Sequence, residues 1–368
     1  MLTFIKKEPV LSAAGAAAVI SAFFVRPSVA YLEYIDYSVL ILLFCLMTVV
    51  AGLMKTKLFD CISARILRSS DKCRTVGILL VNITFLSAML ITNDVALITL
   101  VPFTAGIFGK KKSLIPLVVM ETAAANLGSM IMPFGNPQNL YLYSRYNMSI
   151  GDFSGTILPY GILSLALVNV FTFFLVKDER IGFDSSKKVH IENKRNFVIY
   201  IILFIVCILT VLRVVNIYIC LAAVVLCFTV TDRKIFAEVD WLLLLTFCAF
   251  FVFVGNLGNI DAVRKTLSAA VNGHEFVAAV LSSQVISNVP AAIMLSGFTD
   301  NARELLIGVN LGGLGTLVAS LASVISYKQY MKTENAEAGK YMLVFSSVNF
   351  SLLVIISAVY FLFSCQVK

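Results

Sequence analysis

Two short polar clusters interrupt long apolar stretches of the chain: Thr92-Asn93-Asp94 and Ser287-Asn288-Val289-Pro290. Each gathers side chains that suit a helix start, so each predicts that one helix ends there and another begins. Pro290 fits an early helical position. A helix that begins inside a membrane presents unpaired amide hydrogens and the positive end of its dipole, a setting that suits an anion. A third cluster, Pro133-Phe134-Gly135-Asn136-Pro137-Gln138-Asn139, carries two prolines and a glycine and cannot propagate a helix. Unwound carbonyls and amides near Gly135, Asn136 and Asn139 are groups with which broken helices bind a cation, and with Asn93 they make the expected sodium position. The matching stretch later in the chain, Asn310, Gly312, Gly313, Gly315, Thr316, Ser320 and Ser323, lacks the prolines. The two cation positions are therefore expected to be unequal.

Asp94 and Glu121 are carboxylates in apolar surroundings, where a charge at a helix centre costs at least roughly 2.5 to 3.5 kcal/mol on insertion scales. They need partners, cations or protons, so sodium or proton coupling is the expected role, with Asp94 favoured because it sits on a tip. Asn126, Gly135, Asn310, Gly312 and Thr316 complete the expected ion-coupling set. The plainer alternative makes Asp94 a helix cap and Glu121 a structural pair. His190 falls in a basic loop and His274 at a hairpin entrance, neither beside an acidic pair, and no GxSxG motif is present. Arg145 either attracts an anion or extends towards the membrane interface. An enzyme is not expected, no cofactor is called for beyond a coupling ion, and ATP-driven pumping would need a separate protein.

The elements that must position these residues are set by composition. Of 368 residues, 59% are hydrophobic and 14% charged, with mean hydropathy +0.92, whereas soluble domains carry about 25% charged residues. The net charge of +8 falls in short clusters between apolar segments, which fits positive-inside topology and not nucleic-acid binding. Eight cysteines without CxxC spacing read as buried and inert. Lys6 and Lys7 before residues 10–25 imitate a signal peptide, but a retained first span starting in the cytoplasm suits the later basic clusters better.

Threading the chain by its basic loops predicts an all-α polytopic membrane protein with about nine spans and two re-entrant helical hairpins. Residues 1–176 form a first repeat, with a surface arm at 55–74, a hairpin at 75–108, a broken helix at 113–150 and a span at 153–176. A cytoplasmic loop (177–195) and a linking span (196–213) follow. Residues 214–368 form the second repeat, with an arm at 257–272, a hairpin at 273–299, a broken helix at 305–330 and a final span at 341–364. The arms follow helical spacing, as in Leu58, Ile62 and Ile66, and in Ile260, Val263, Leu267 and Val271.

Residues 86–96 laid over 281–291 share five identities in eleven positions, with Thr92 opposite Ser287. Residues 126–146 laid over 310–330 match Asn126, Leu127, Gly128, Tyr143 and Tyr146 with Asn310, Leu311, Gly312, Tyr327 and Tyr330. The linking span inverts the second copy, and inverted repeats with discontinuous helices mark secondary transporters.

These residues resemble the ion transporter superfamily, which includes arsenite permeases, citrate transporters, divalent-anion/sodium symporters and some sodium/proton antiporters. Thr92-Asn93-Asp94, with Pro102 downstream, looks like the Asn-Asp hairpin of arsenite permeases, and Ser287-Asn288-Val289 like its second copy. Gly135-Asn136-Pro137-Gln138-Asn139 is similar to the family's Gly-Thr-Pro-Pro-Asn segment. The resemblance implies an elevator-type permease for a small anion in the cytoplasmic membrane, often a homodimer, with Thr92, Asn93, Asn136, Asn139, Ser287 and Asn288 at the ligand site. Asp94 and Val289 stand where dicarboxylate symporters carry a threonine, which leans towards the arsenite and citrate-like branch. The alternative expectation is a sodium/proton antiporter using Asp94 and Glu121.

Overall fold

The computed structural model describes residues 8–58, 61, 70–109, 111–180, 191–334 and 336–366. Half of the first surface arm (59–60 and 62–69) and positions 181–190, His190 among them, lie outside the described residues. Among those described, every regular element is helical, apart from one isolated bridge between Lys72 and Arg180. In chain order the helices are α1 (Pro9–Ala22), α2 (Ala30–Tyr34), α3 (Tyr37–Lys55), α4 (Cys73–Ile91), α5 (Asn93–Phe108) and α6 (Leu114–Ser129). Then come α7 (Pro137–Arg145), α8 (Ile150–Leu175), α9 (Lys194–Val211), α10 (Ile217–Thr231), α11 (Trp241–Gly258) and α12 (Asp261–Val271). The last are α13 (Glu275–Ile286), α14 (Asn288–Leu295), α15 (Ala302–Leu311), α16 (Leu321–Tyr330) and α17 (Ala338–Gln366).

Among the described residues six helices, α3, α4, α8, α9, α11 and α17, are long and apolar enough to cross a membrane. Of these, α8, α9 and α17 fall on the spans expected at 153–176, 196–213 and 341–364, while α4, the first arm of an expected hairpin, is as long as a span. Helices α1 and α10 are apolar but shorter, and the two expected broken spans are divided as α6–α7 and α15–α16. The chain is a polytopic membrane protein. Large apolar side chains such as Phe174, Leu226 and Val230 stand exposed along these helices, a surface that needs lipid around it.

Local chemistry explains most boundaries. Asp36, Asn136, Ser149, Asn193, Asp240 and Asn301 each cap the helix that follows by accepting an amide hydrogen two or three residues into it. The breaks expected at Thr92 and Ser287 are present, but neither hydroxyl makes a capping bond. The backbone there is far from the extended region typical of a capping residue: Thr92 sits at φ 77°, ψ 152° and Ser287 at φ 75°, ψ 154°, and the one cap with positive φ, Asn193, has a quite different ψ of 70°. On either side of these breaks the helices touch, α4 with α5 and α13 with α14.

Helix α4 lies along α6 and α8, while α5 lies against α6 and α16. Lipid is as apolar as leucine, so these helices are held by close contact more than by hydrophobic burial. Gly128 in α6 shows how close: a Cβ there would stand 2.2 Å from the backbone oxygen of Phe85. A second group has α1 against α11, and α3 between α9 and α10. The two groups meet where α3 touches α7 and α11 touches α14.

Candidate functional site

The side chains of α6 and α15 join the two halves of the chain. From α6, Asn126 Oδ1 accepts hydrogen bonds from Asn93 Nδ2 (3.2 Å) and the Ser320 hydroxyl (2.8 Å), and its Nδ2 donates to Ser323 (3.1 Å). From α15, Asn310 Oδ1 accepts from Asn136 Nδ2 (3.1 Å), and its Nδ2 donates to Asn139 Oδ1 (2.7 Å). The pattern is reciprocal. In the alignment of residues 126–146 on 310–330, Ser320 and Ser323 correspond to Asn136 and Asn139. Each central asparagine therefore reaches across to the same pair of positions in the other half, as in any two-fold contact.

The first break is tied down tightly. Asn136 Oδ1 caps α7 at the Asn139 amide (2.9 Å), and Asn136 Nδ2 also reaches Ser129 (3.2 Å). Asn139 Nδ2 donates to the carbonyls of Met130 (3.0 Å), Met132 (3.1 Å) and Ser129 (3.4 Å). Gly135 allows this fold-back, since a Cβ there would lie 2.1 Å from the Ser129 oxygen. In the second break, Gln284 Nε2 donates to the carbonyls of Gly312 and Leu314 (both 2.9 Å), and its Oε1 accepts from the Thr316 amide (2.8 Å). The Thr316 hydroxyl donates to the Gln284 carbonyl (3.0 Å), and Ser287 to the Ala319 carbonyl (3.4 Å). Asn288 is buried with its amide against Gly313.

A cavity of about 520 Å³ runs from the exposed residues Lys55 and Glu238 to the first tip, where Thr92, Asp94 and Asn136 line it. Most of its wall is apolar, built by Leu43, Met47, Val50, Ile98 and Phe134 among others. Its charged groups are Asp94, Glu238, Asp240 and Lys55. Lys55 is engaged by Asp232 (3.2 Å) and Glu238 (3.9 Å). Among the described residues the Asp94 carboxylate has no hydrogen-bond or ion-pair partner, so it does not act as a cap.

Of the expected residues, Thr92, Asp94 and Asn136 face the cavity, and Asn93, Asn126, Asn139 and Asn310 form the wall behind it. Ser287, Asn288, Gly312 and Thr316 belong to the second break. Glu121 stands apart from this cavity: it is fully buried, Oε1 accepts from Thr104 (2.7 Å), and Oε2 has no partner. Gln284, Ser129 and Thr104 were not singled out from the sequence. A glutamine within the apolar stretch Leu281-Ser282-Ser283-Gln284-Val285-Ile286 was the available signal for the first of them.

A multi-helix membrane body whose polar residues gather at broken helices around a cavity defines a membrane transporter. The family model for citrate transporters matches residues 1–311, and the chain belongs to that family, within the ion transporter superfamily. Among its relatives, an uncharacterised transporter of Methanocaldococcus jannaschii is 32% identical over 328 residues, 88% of this chain and 89% of the relative. The inner membrane protein YbiR of Escherichia coli is 29% identical over 300 residues, 80% of each chain. A 46 kDa membrane protein of Mycobacterium leprae is 25% identical over 338 residues, 79% of this chain and 78% of the relative.

Proposed function

We propose that this protein is an ion-coupled secondary transporter that carries a small anion, and that Asp94 takes up the coupling sodium ion or proton. The observation that carries the reading is the cavity that ends at Thr92, Asp94 and Asn136. A helix start and amide groups suit an anion there, while the unpartnered carboxylate suits a cation or proton. Because the cavity's carboxylates outnumber its one lysine, an anion must arrive with a neutralising charge, either on itself or on Asp94. The family description names citrate, and a carboxylate anion satisfies this logic.

In this reading the two halves are inverted repeats, with nine spans and the hairpins α4–α5 and α13–α14 re-entering from opposite sides. The reciprocal bonds of Asn126 and Asn310 support the two-fold relation. The hairpins and broken helices slide, elevator-fashion, against a frame formed by α1, α3 and α9–α11, in a homodimer as the family resemblance implies. The charge pattern puts Lys55 in the cytoplasm together with the N-terminus, so this conformation is open inward. The cytoplasmic membrane is the proposed location, in keeping with the inner-membrane description of the E. coli relative.

Transport by proteoliposomes tests the reading. Uptake of an added carboxylate or oxyanion, driven by a sodium or proton gradient, is the expected result. A second reading, sodium/proton antiport, is favoured by the acidic lining of the cavity. Proton movement against a sodium gradient with no anion present would select it over the first.

A further inference from the structure

The two broken helices share a carbonyl problem and solve it from different places. Met130 and Leu314 hold equivalent positions in the two halves, and the carbonyl of each is freed by the break. Met130 is bonded by the carboxamide of Asn139, Leu314 by that of Gln284. In the second half, the position of Asn139 is held by Ser323. In the first half, the position of Gln284 is held by Met89. One half thus carries Met89 with Asn139, the other Gln284 with Ser323, and each break receives one carboxamide.

We infer that these carboxamides stand where a cation would otherwise sit, so that neither break of this chain holds the coupling ion. Each NH2 group faces two or more carbonyl oxygens, the donor set that a monovalent cation would use, and fills the space between them. The oxygen of each amide is also taken, by Asn310 in the first half and by the Thr316 amide in the second. Buried carbonyls need partners, and here those partners are covalently part of the chain. The sodium position expected at Asn93, Gly135 and Asn139 does not fit this arrangement, because the Asn139 nitrogen already occupies it. Gln284 is then a residue that sets ion coupling without touching the ion. The inference deepens the proposed function by leaving the coupling charge to a carboxylate, but its test does not measure transport and does not depend on knowing the anion.

The test is the melting temperature of purified protein in lithium, sodium or potassium chloride, against N-methylglucamine chloride at matched ionic strength. The variant with both Asp94→Asn and Glu121→Gln removes the membrane carboxylates and leaves the breaks intact. It is expected to show no ion-selective stabilisation, and a saturable shift with one alkali ion would overturn the inference. Gln284→Glu and Gln284→Met in that background take away the internal donor. At about pH 8, where an ordinary carboxylate is ionised, either folded variant is expected to gain a saturable, ion-selective rise in melting temperature. No gain in either would overturn the proposal, and if neither folds, the Asp94→Asn, Glu121→Gln parent decides alone.

Discussion

Asn126 and Asn310 hold the same place in the two halves and bond to the same two places across the interface. Ser320 and Ser323 stand to Asn126 as Asn136 and Asn139 stand to Asn310. Two sets of hydrogen bonds with the same order of donor and acceptor support the proposed two-fold relation between the halves.

Removing either centre should be costly. Asn126→Ala and Asn310→Ala each strand buried polar groups in the other half, at about 1 to 3 kcal/mol per unsatisfied group. Asn126→Ala is the more damaging, because it strands the Asn93 carboxamide and the hydroxyls of Ser320 and Ser323, whereas Asn310→Ala strands the Asn139 oxygen and leaves the Asn136 nitrogen its bond to Ser129. Melting in detergent, compared with a buried control such as Thr172→Val, checks the order. Equal stability to the parent in both variants would mean that the network is not holding the halves together.

The two tips are strained in the same way. Thr92 and Ser287 occupy a region of backbone space used almost only by glycine, at a cost of order 1 to 3 kcal/mol each. Thr92→Gly and Ser287→Gly relieve this and lose about 0.5 to 1 kcal/mol to added chain freedom. Thermal stability is expected to hold or rise, and uptake to fall with Thr92→Gly, since the proposed ligand site loses a hydroxyl that lines the cavity. A marked loss of stability in both would show that the side chains, not the backbone, hold the tips.

Asp94→Asn is expected to separate binding from coupling. Without that charge, ligand-induced stabilisation persists or grows, and the dependence of uptake on a sodium or proton gradient disappears. Retention of gradient-driven accumulation by the variant would remove Asp94 from the coupling role. Glu121→Gln leaves the cavity wall unchanged and should not alter ligand-induced stabilisation.

Close backbone approach gives the most direct structural test. Gly128→Ala and Gly135→Ala each drive a methyl group into a carbonyl oxygen that cannot swing aside. Overpacking costs typically about 1 to 3 kcal/mol, and both should lie at or above the top of that range. Gly155→Ala, where a Cβ meets nothing within 4 Å, serves as the control. Wild-type melting of Gly128→Ala would contradict the packing of α6 on α4.

Much of this was legible because breaks in apolar helices are local events. The polar triplets at Thr92 and Ser287 mark helix ends to within a residue, and the prolines and glycine in 133–139 mark a break that begins a few residues earlier, where α6 ends at Ser129. The internal alignment sets Asn126 opposite Asn310, and the structure gives these two residues the same kind of bond to aligned positions across the halves. The absence of hydroxyl caps at the tips was not legible, because residue type favours a cap only where the backbone aims the side chain at the helix start, and sequence does not report the torsion angles found at Thr92 and Ser287. Gln284 was invisible for another reason. Its partners lie some thirty residues away in a loop, and a polar side chain in an apolar helix gives no sign of which distant oxygen it answers. What the sequence did not indicate is that α4, the first arm of the expected hairpin, is as long as a span.

The matched torsion angles at Thr92 and Ser287 bear on direction. If the two halves trade places between the inward and outward forms, the alternate form reuses the same pair of distorted peptides, and neither gate is intrinsically easier to open. Preference for one resting orientation must then come from the substitutions that spoil the symmetry, Asn139 against Ser323 and Met89 against Gln284. Exchanging those side chains between the halves would reset the poise of the carrier without altering its cargo.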